Sequence, residues 1–315
     1  MKNNVLFHIK DKAIWVVFIV LFIAFSIANQ RFLHHNNLLM VLRQVSMLGI
    51  ASIGMTFVIL TAGIDLSIGS TITIVNIICA YLMVNMGMDM GVAIVVTLAL
   101  ATFIGLMNGF MVASIGIPAL IATFATQTAI EGLAFVISGG TPIFGFDERF
   151  KVIGQGYIGP IPVPIIIMAA CFAIGSIILN KTYFGRYFYA IGGNEEASKL
   201  SGIRTRRVKY MVYALSGFFA GLAGIVLLSR TNSGQPTSGK GYEFDVITCV
   251  VLGGVSISGG FGKFSNVIAG VLIIGVLTNG MVLMNISSYT QMIIKGVILA
   301  LAVGFDCIQK RKQIA

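Results

Sequence analysis

Two carboxylates, Asp65 and Glu131, stand in stretches that otherwise read as hydrocarbon, each with hydroxyl or amide neighbours at a telling spacing. Asp65 follows Gly63 in "TAGIDLSIGS" (residues 61–70). It is placed to cap a helix starting at Leu66, its carboxylate accepting from free backbone N–H groups at the positive end of the helix dipole. An ionisable residue beside a membrane helix is also a functional candidate, and Ser67 and Ser70 add hydroxyls to the same turn. Thr123, Gln127 and Glu131 recur every four residues and form one polar stripe on a helix, facing neighbouring helices or a wet cavity. Charge at the bilayer centre costs about 2.5–3.5 kcal/mol on insertion scales, so Glu131 should be paired, protonated or water-lining. A hydrogen-bonded seam between helices is the plainer alternative. A second interruption, "VLGGVSISGGFGKF" (251–264), sets Gly253, Gly254 and Ser256 in an apolar context. Irregular backbone there lines a transport route or makes a tight turn.

None of these groups forms a recognisable catalytic set. The nearest approach to a phosphate-binding loop ends at Gly262, Lys263 and Phe264, with Ile257 where the first glycine belongs and Phe264 where a magnesium-binding hydroxyl belongs. Zinc-protease and serine-hydrolase elements are missing, and the three histidines fall within the first 35 positions. The chain is expected to be a non-enzyme without a cofactor or metal of its own.

What must position the polar groups is a membrane domain. The chain is 57% hydrophobic and 10% charged, too little charge to cover a water-facing surface. Its mean hydropathy is +0.95. Apolar windows predict spans at 13–29, 44–64, 66–84, 91–115, 119–137, 160–180, 210–229, 244–258, 264–284 and 290–306. Uninterrupted apolar runs of this length are helices, because a lipid-embedded backbone must satisfy its own hydrogen bonds. The expectation is an all-α integral membrane protein of about ten transmembrane helices in one domain, 1–315, with both termini cytoplasmic.

The net charge of +10 raises nucleic acid as a partner, but the positions of the basic residues argue against it. With a cytoplasmic N-terminus, Lys2, Lys10, Lys12, Lys181, Arg186, Lys199, Arg204, Arg206, Arg207, Lys209, Lys263, Lys310, Arg311 and Lys312 fall on one side, 14 of the 21 Lys and Arg. By the positive-inside rule that side is the cytoplasm. Cys79, Cys171, Cys249 and Cys307 lie far apart in or beside apolar spans and read as small buried hydrophobes. The first span, with "FSIA" at 25–28, also resembles a secretory signal; a retained helix is the reading adopted here.

Three polar connections are long. Residues 138–159 form a Gly-rich external loop and 230–243, "RTNSGQPTSGKGYE", a second one. The third, cytoplasmic residues 181–209, holds "GGNEEASKLSGIRTRR" (192–207). Gly192 and Gly193 are expected to break what precedes, Asn194 to cap a short helix, Glu195 and Glu196 to fill its first turn and Gly202 to stop it. Ala197 and Leu200 are its apolar residues. A helix this short does not stand alone in water, so lipid headgroups or a partner must hold it.

"ILTAGIDLSIGS" (59–70), "GRYFYAIGGNEEASKLSGI" (185–203) and "VVLGGVSISGGFG" (250–262) together resemble the permease subunits of ribose, xylose and related sugar ABC importers, and the likeness runs through nearly the whole chain. The resemblance implies that Gly193, Asn194, Glu195, Glu196, Ala197, Ser198, Leu200, Ser201 and Gly202 form a coupling helix docked on a separate ATP-hydrolysing subunit, which carries ATP and magnesium. It also implies a second permease subunit, an extracytoplasmic sugar-binding protein and residence in the bacterial inner membrane. Asp65, Ser67, Ser70, Thr123, Gln127, Glu131, Gly253, Gly254 and Ser256 are the candidates for the translocation pathway. At Glu131 many such relatives carry Arg, a departure that bears on the choice of sugar. The expected cargo is a monosaccharide, ribose first, with autoinducer-type sugars, other pentoses, hexoses or nucleosides as alternatives. A secondary transporter driven by ions through Asp65 and Glu131 is the competing class.

Overall fold

The computed structural model describes the backbone of residues 2–314 and the side chains of residues 13–308. Lys2, Lys10, Lys12, Lys310, Arg311 and Lys312 lie outside the described side chains. Thirteen helices are described: α1 Lys2–Ala28, α2 His35–Leu60, α3 Ile68–Val84, α4 Met90–Phe110, α5 Ala119–Ser138, α6 Glu148–Gln155, α7 Val163–Lys181, α8 Tyr183–Gly193, α9 Glu195–Leu200, α10 Thr205–Thr231, α11 Tyr242–Leu252, α12 Phe264–Leu283 and α13 Ser288–Ile314. A hairpin of β1 Tyr157–Ile158 and β2 Ile161–Pro162 follows α6.

Among the described residues seven helices are long and apolar enough to cross a membrane: α2, α4 with the π turn that extends it to Ile115, α5, α7, α10, α12 and α13. The spans expected at 13–29 and 66–84 fall on the shorter apolar segments Ala13–Ala28 and Ile68–Val84. The span expected at 244–258 is corrected: α11 has 11 residues, about 16 Å of helix, and stops at Leu252. Gly254, at φ +81°, turns the chain away, and residues 253–263 contain no helix.

The interior is built on α2, whose residues from Val45 to Leu60 are all buried. A helix buried on every face must be apolar all round, and this run is, apart from Ser and Thr side chains that return their hydroxyls to the preceding turn. The α10 helix crosses beside it against α3 and α4. Gly217, Gly221 and Gly224 make that approach possible: a Cβ on Gly221 would lie 2.6 Å from the Ala101 Cβ, and one on Gly224 2.8 Å from the Ile72 carbonyl oxygen. Three cysteines are buried as expected, whereas Cys307 is exposed on the outward side of α13.

Candidate translocation and coupling site

The break between α2 and α3 is held by Asp65, which is 1% exposed. One carboxylate oxygen accepts from the Ser67 N–H at 3.0 Å and the Ser67 hydroxyl at 2.6 Å; the other accepts from Ser216 on α10 at 2.7 Å. The expected start at Leu66 shifts, for Leu66 and Ser67 form a turn and α3 begins at Ile68. From Ser67 the network continues outward. Asn108 on α4 donates to the Ser67 hydroxyl at 2.8 Å and accepts from Thr126 on α5 at 2.6 Å. Ser70 returns its hydroxyl to the Ser67 carbonyl. Thr123 accepts from the Leu66 N–H at 3.1 Å, so the top of the α5 stripe serves the same break.

The rest of the stripe meets a residue that sequence reasoning missed. The Gln127 Nε2 donates to Glu131 at 3.1 Å and to Glu243 on α11 at 3.2 Å. Glu243 is 2% exposed, and its second oxygen makes no hydrogen bond. It reaches this place because residues 235–243, expected as an outer loop, run into the bundle along α3. The Gln235 N–H donates to Asn76 and the Gly239 N–H to Thr73, each at 2.9 Å, which satisfies backbone groups that could not otherwise be buried. Gly69 makes room, since a Cβ there would strike the Glu243 carboxylate and lie 2.6 Å from the Gly239 carbonyl oxygen. The signal was present in "YEFDVITCVVL" (242–252), an acidic residue opening an apolar run where a helix N-terminus favours it.

Gly253, Gly254 and Ser256 do not join these groups. Ser256 and the Ile257 N–H instead donate to Asp306 on α13, at 2.9 and 3.0 Å. The end of the same interruption does meet the first one. The Gly260 N–H donates to the Leu60 carbonyl, the last residue of α2, and α8 ends on that contact. A Cβ on Gly260 would lie 2.6 Å from the Gly193 nitrogen, and one on Gly192 would overlap both the Leu60 oxygen and the Gly260 nitrogen. Tyr189 donates to the Gly262 carbonyl at 2.9 Å, and Phe188 packs on Phe57 with ring centroids 5.6 Å apart.

The expected break at Gly192 and Gly193 is therefore corrected: both belong to α8, and the chain turns at Asn194, φ −161°. Gly192 is there for close approach. Asn194 caps α9, accepting from the Ala197 N–H at 2.9 Å. Gly202, at φ +85°, closes it: the Gly202 N–H donates to Lys199 and the Ile203 N–H to Ser198, the paired bonds of a Schellman end. Glu195 pairs with Lys209 at 2.5 Å and with Lys199 at 3.6 Å; Glu196 pairs with Lys199 at 2.8 Å. Partial burial pushes the Glu195 carboxyl up, but the Lys209 bond and the charges of Lys209 and Lys199 outweigh it and hold the group below its ordinary value. Ser198 is buried, while Leu200 is 90% exposed, an apolar tip with nothing of this chain against it.

Residues 37–303 match the family model described as branched-chain amino acid transport system / permease component. The chain belongs to that permease family. The permease is 45% identical to the ribose import permease protein RbsC of Bacillus subtilis, over 91% of this chain and 89% of that one. It is 44% identical to the corresponding Haemophilus influenzae protein, over 93% and 91%. The L-arabinose transport system permease protein AraH of Escherichia coli is 42% identical over 92% of this chain and 88% of its own. No solved structure matches the permease. Membership makes it a transport subunit of a multi-pass membrane protein family rather than an enzyme.

Proposed function

We propose that this permease forms the translocation pathway of an ATP-driven importer of ribose in the bacterial inner membrane. The names of its relatives support the cargo: ribose at 41–45% identity, arabinose at 42% and xylose at 32%. Its partners in this reading are a second permease subunit, an extracytoplasmic sugar-binding protein and a separate subunit that binds ATP and magnesium. The topology is ten crossings with both termini cytoplasmic: the seven longer helices, α1, α3, and a broken tenth made by the short α11 together with the run 235–243 that leads into it.

One observation carries the coupling mechanism. The capped helix α9 presents Leu200 outward, and α8, which leads into it, ends on the bond that joins the two helix interruptions. A push on α9 reaches α8 directly. Phe188 and Tyr189 anchor α8 to the core and to the 253–263 segment, so the push shifts both interruptions together. Through Asp65 the first moves α3 and α10; through residues 253–263 the second moves α11. The helices that move carry or flank Gln127, Glu131 and Glu243. Glu131, partly exposed, is costly against lipid, which favours a water-filled path facing the second permease. Asp65, by contrast, is fully engaged in local hydrogen bonds, which weakens the case for ion coupling through it.

Co-purification tests the docking. Leu200→Glu is expected to leave the permease folded and to abolish recovery of the ATPase subunit; recovery at the wild-type ratio would contradict the reading.

A further inference from the structure

We infer that the cleft between α1, α11 and α13 binds an anionic phospholipid of the leaflet on the side of the two termini. The importer reading above makes that leaflet the cytoplasmic one; the binding itself does not depend on transport. A cavity of about 640 Å³ opens in the cleft, within the range of about 300–1,000 Å³ usual for small-molecule sites. Its apolar walls are Ile14 and Val17 of α1, Leu252 of α11, and Ala302 and Phe305 of α13. The α1 helix packs on α12 and α13 packs on α11, and residues of the 253–263 segment line the space between them. A lipid bound here touches Gly253, Gly254 and Gly260, and so braces the interruption that meets Leu60.

Three observations select a lipid. The flanks are apolar and open: Val16 and Val20 on α1 and Leu301 and Phe305 on α13 are more than half exposed, so the cleft is reached through surface that belongs in hydrocarbon. The depth is that of headgroups. Ala13, which lines the cavity, begins the apolar run of α1 directly after Lys10, Asp11 and Lys12, and Asp306, at the other wall, stands just before the basic end Lys310, Arg311 and Lys312. The charge is complementary. Lys263 lines the cavity, Lys10 stands four residues before Ile14 and Lys310 four residues after Asp306. Asp306 is already engaged, one oxygen accepting from the Ser256 hydroxyl and the Ile257 N–H. Basic pockets between membrane helices on the cytoplasmic side suit a phosphate headgroup. A free phosphate gains nothing from the apolar walls, and a zwitterionic lipid gains little from the charge.

The test adds phosphatidylglycerol, phosphatidylcholine or glycerol phosphate to the detergent-purified permease and follows bound molecules by native mass spectrometry. Wild type is compared with Lys263→Gln and Ala302→Trp. The wild type is expected to hold phosphatidylglycerol at least about fivefold more tightly than phosphatidylcholine, and Lys263→Gln to weaken phosphatidylglycerol about fivefold, the attraction of one basic residue for an anionic headgroup. Ala302→Trp fills the cleft and is expected to abolish the preference; Lys263→Gln carries the test where Ala302→Trp fails to fold. Equal binding of the two lipids by the wild type, or phosphatidylglycerol binding unchanged in Lys263→Gln, would overturn the inference. So would glycerol phosphate bound as tightly as phosphatidylglycerol, which would make the ligand a free phosphate. Wild-type permease that binds no lipid would leave the cleft to the second permease subunit and overturn it as well. Vesicles that accumulate ribose without ATP would remove the importer reading and leave the lipid result standing.

Discussion

The Gly260 N–H donates to the Leu60 carbonyl at 3.0 Å, and the last turn of α8 lies across that bond with no room for a side chain at Gly192. Two glycine-rich interruptions almost 200 residues apart in sequence therefore meet in one joint, against which the end of α8 packs. Interiors pack as densely as organic crystals, so such a contact passes displacement on rather than absorbing it.

The two neighbouring glycines should then respond oppositely to substitution. Gly192→Val forces backbone apart and is expected to cost about 1–3 kcal/mol, seen as a lower unfolding temperature of the detergent-purified permease. Gly193 has nothing within 4 Å of a built Cβ and ends a helix, so Gly193→Ala should be neutral or stabilising by up to about 1 kcal/mol. Equal losses in both would contradict the joint.

Asp65 should prove structural first. Ser216→Ala removes one donor to a buried carboxylate and is expected to cost about 1.5–3 kcal/mol. Asp65→Ala should cost more, because it also strips the Ser67 N–H and hydroxyl of their acceptor. Thermal unfolding of the two variants checks the order.

The α9 segment should loosen in acid. Glu195 is held below its ordinary value of 4.5, so its contribution is complete above that pH and is lost as pH falls through the lower, folded value. Hydrogen exchange of the amides of residues 194–202 is expected to show constant protection between about pH 5 and 8 and a loss below pH 4.5. Glu195→Gln should remove the pH step, and a step near neutrality would contradict the ion pair as its cause.

One ion pair ties α13 to α11. Lys295 meets Asp245 of α11 at 2.7 Å, with about a fifth of each side chain exposed. Lys295→Met strands a largely buried carboxylate and is expected to cost about 2 kcal/mol, below the full burial penalty because solvent still reaches the pair. Adding Asp245→Asn should recover most of the loss, read from the unfolding temperatures of the single and double variants.

The periodic features were legible in the sequence and the re-entrant ones were not. Gln127 and Glu131 are found because a four-residue repeat on an apolar helix has one geometric meaning. The α9 caps are found because Asn194 and Gly202 act through their own backbone neighbourhood. Glu243 was hidden because the polar run before it looks like a solvent loop; the partners that bury the Gln235 and Gly239 N–H groups, Asn76 and Thr73, lie far away in sequence. Gly192 was read as a breaker because close approach to Leu60 and Gly260 has no local signature. Long-range packing supplies both answers.

The central claim is that ATP bound elsewhere drives this chain through α9. Ribose uptake into vesicles tests it most directly, comparing the permease alone with the permease plus ATPase subunit, loaded binding protein and ATP. Accumulation only in the complete set is the predicted result. Accumulation by the permease alone under an ion gradient, or equal accumulation with and without ATP, would contradict it.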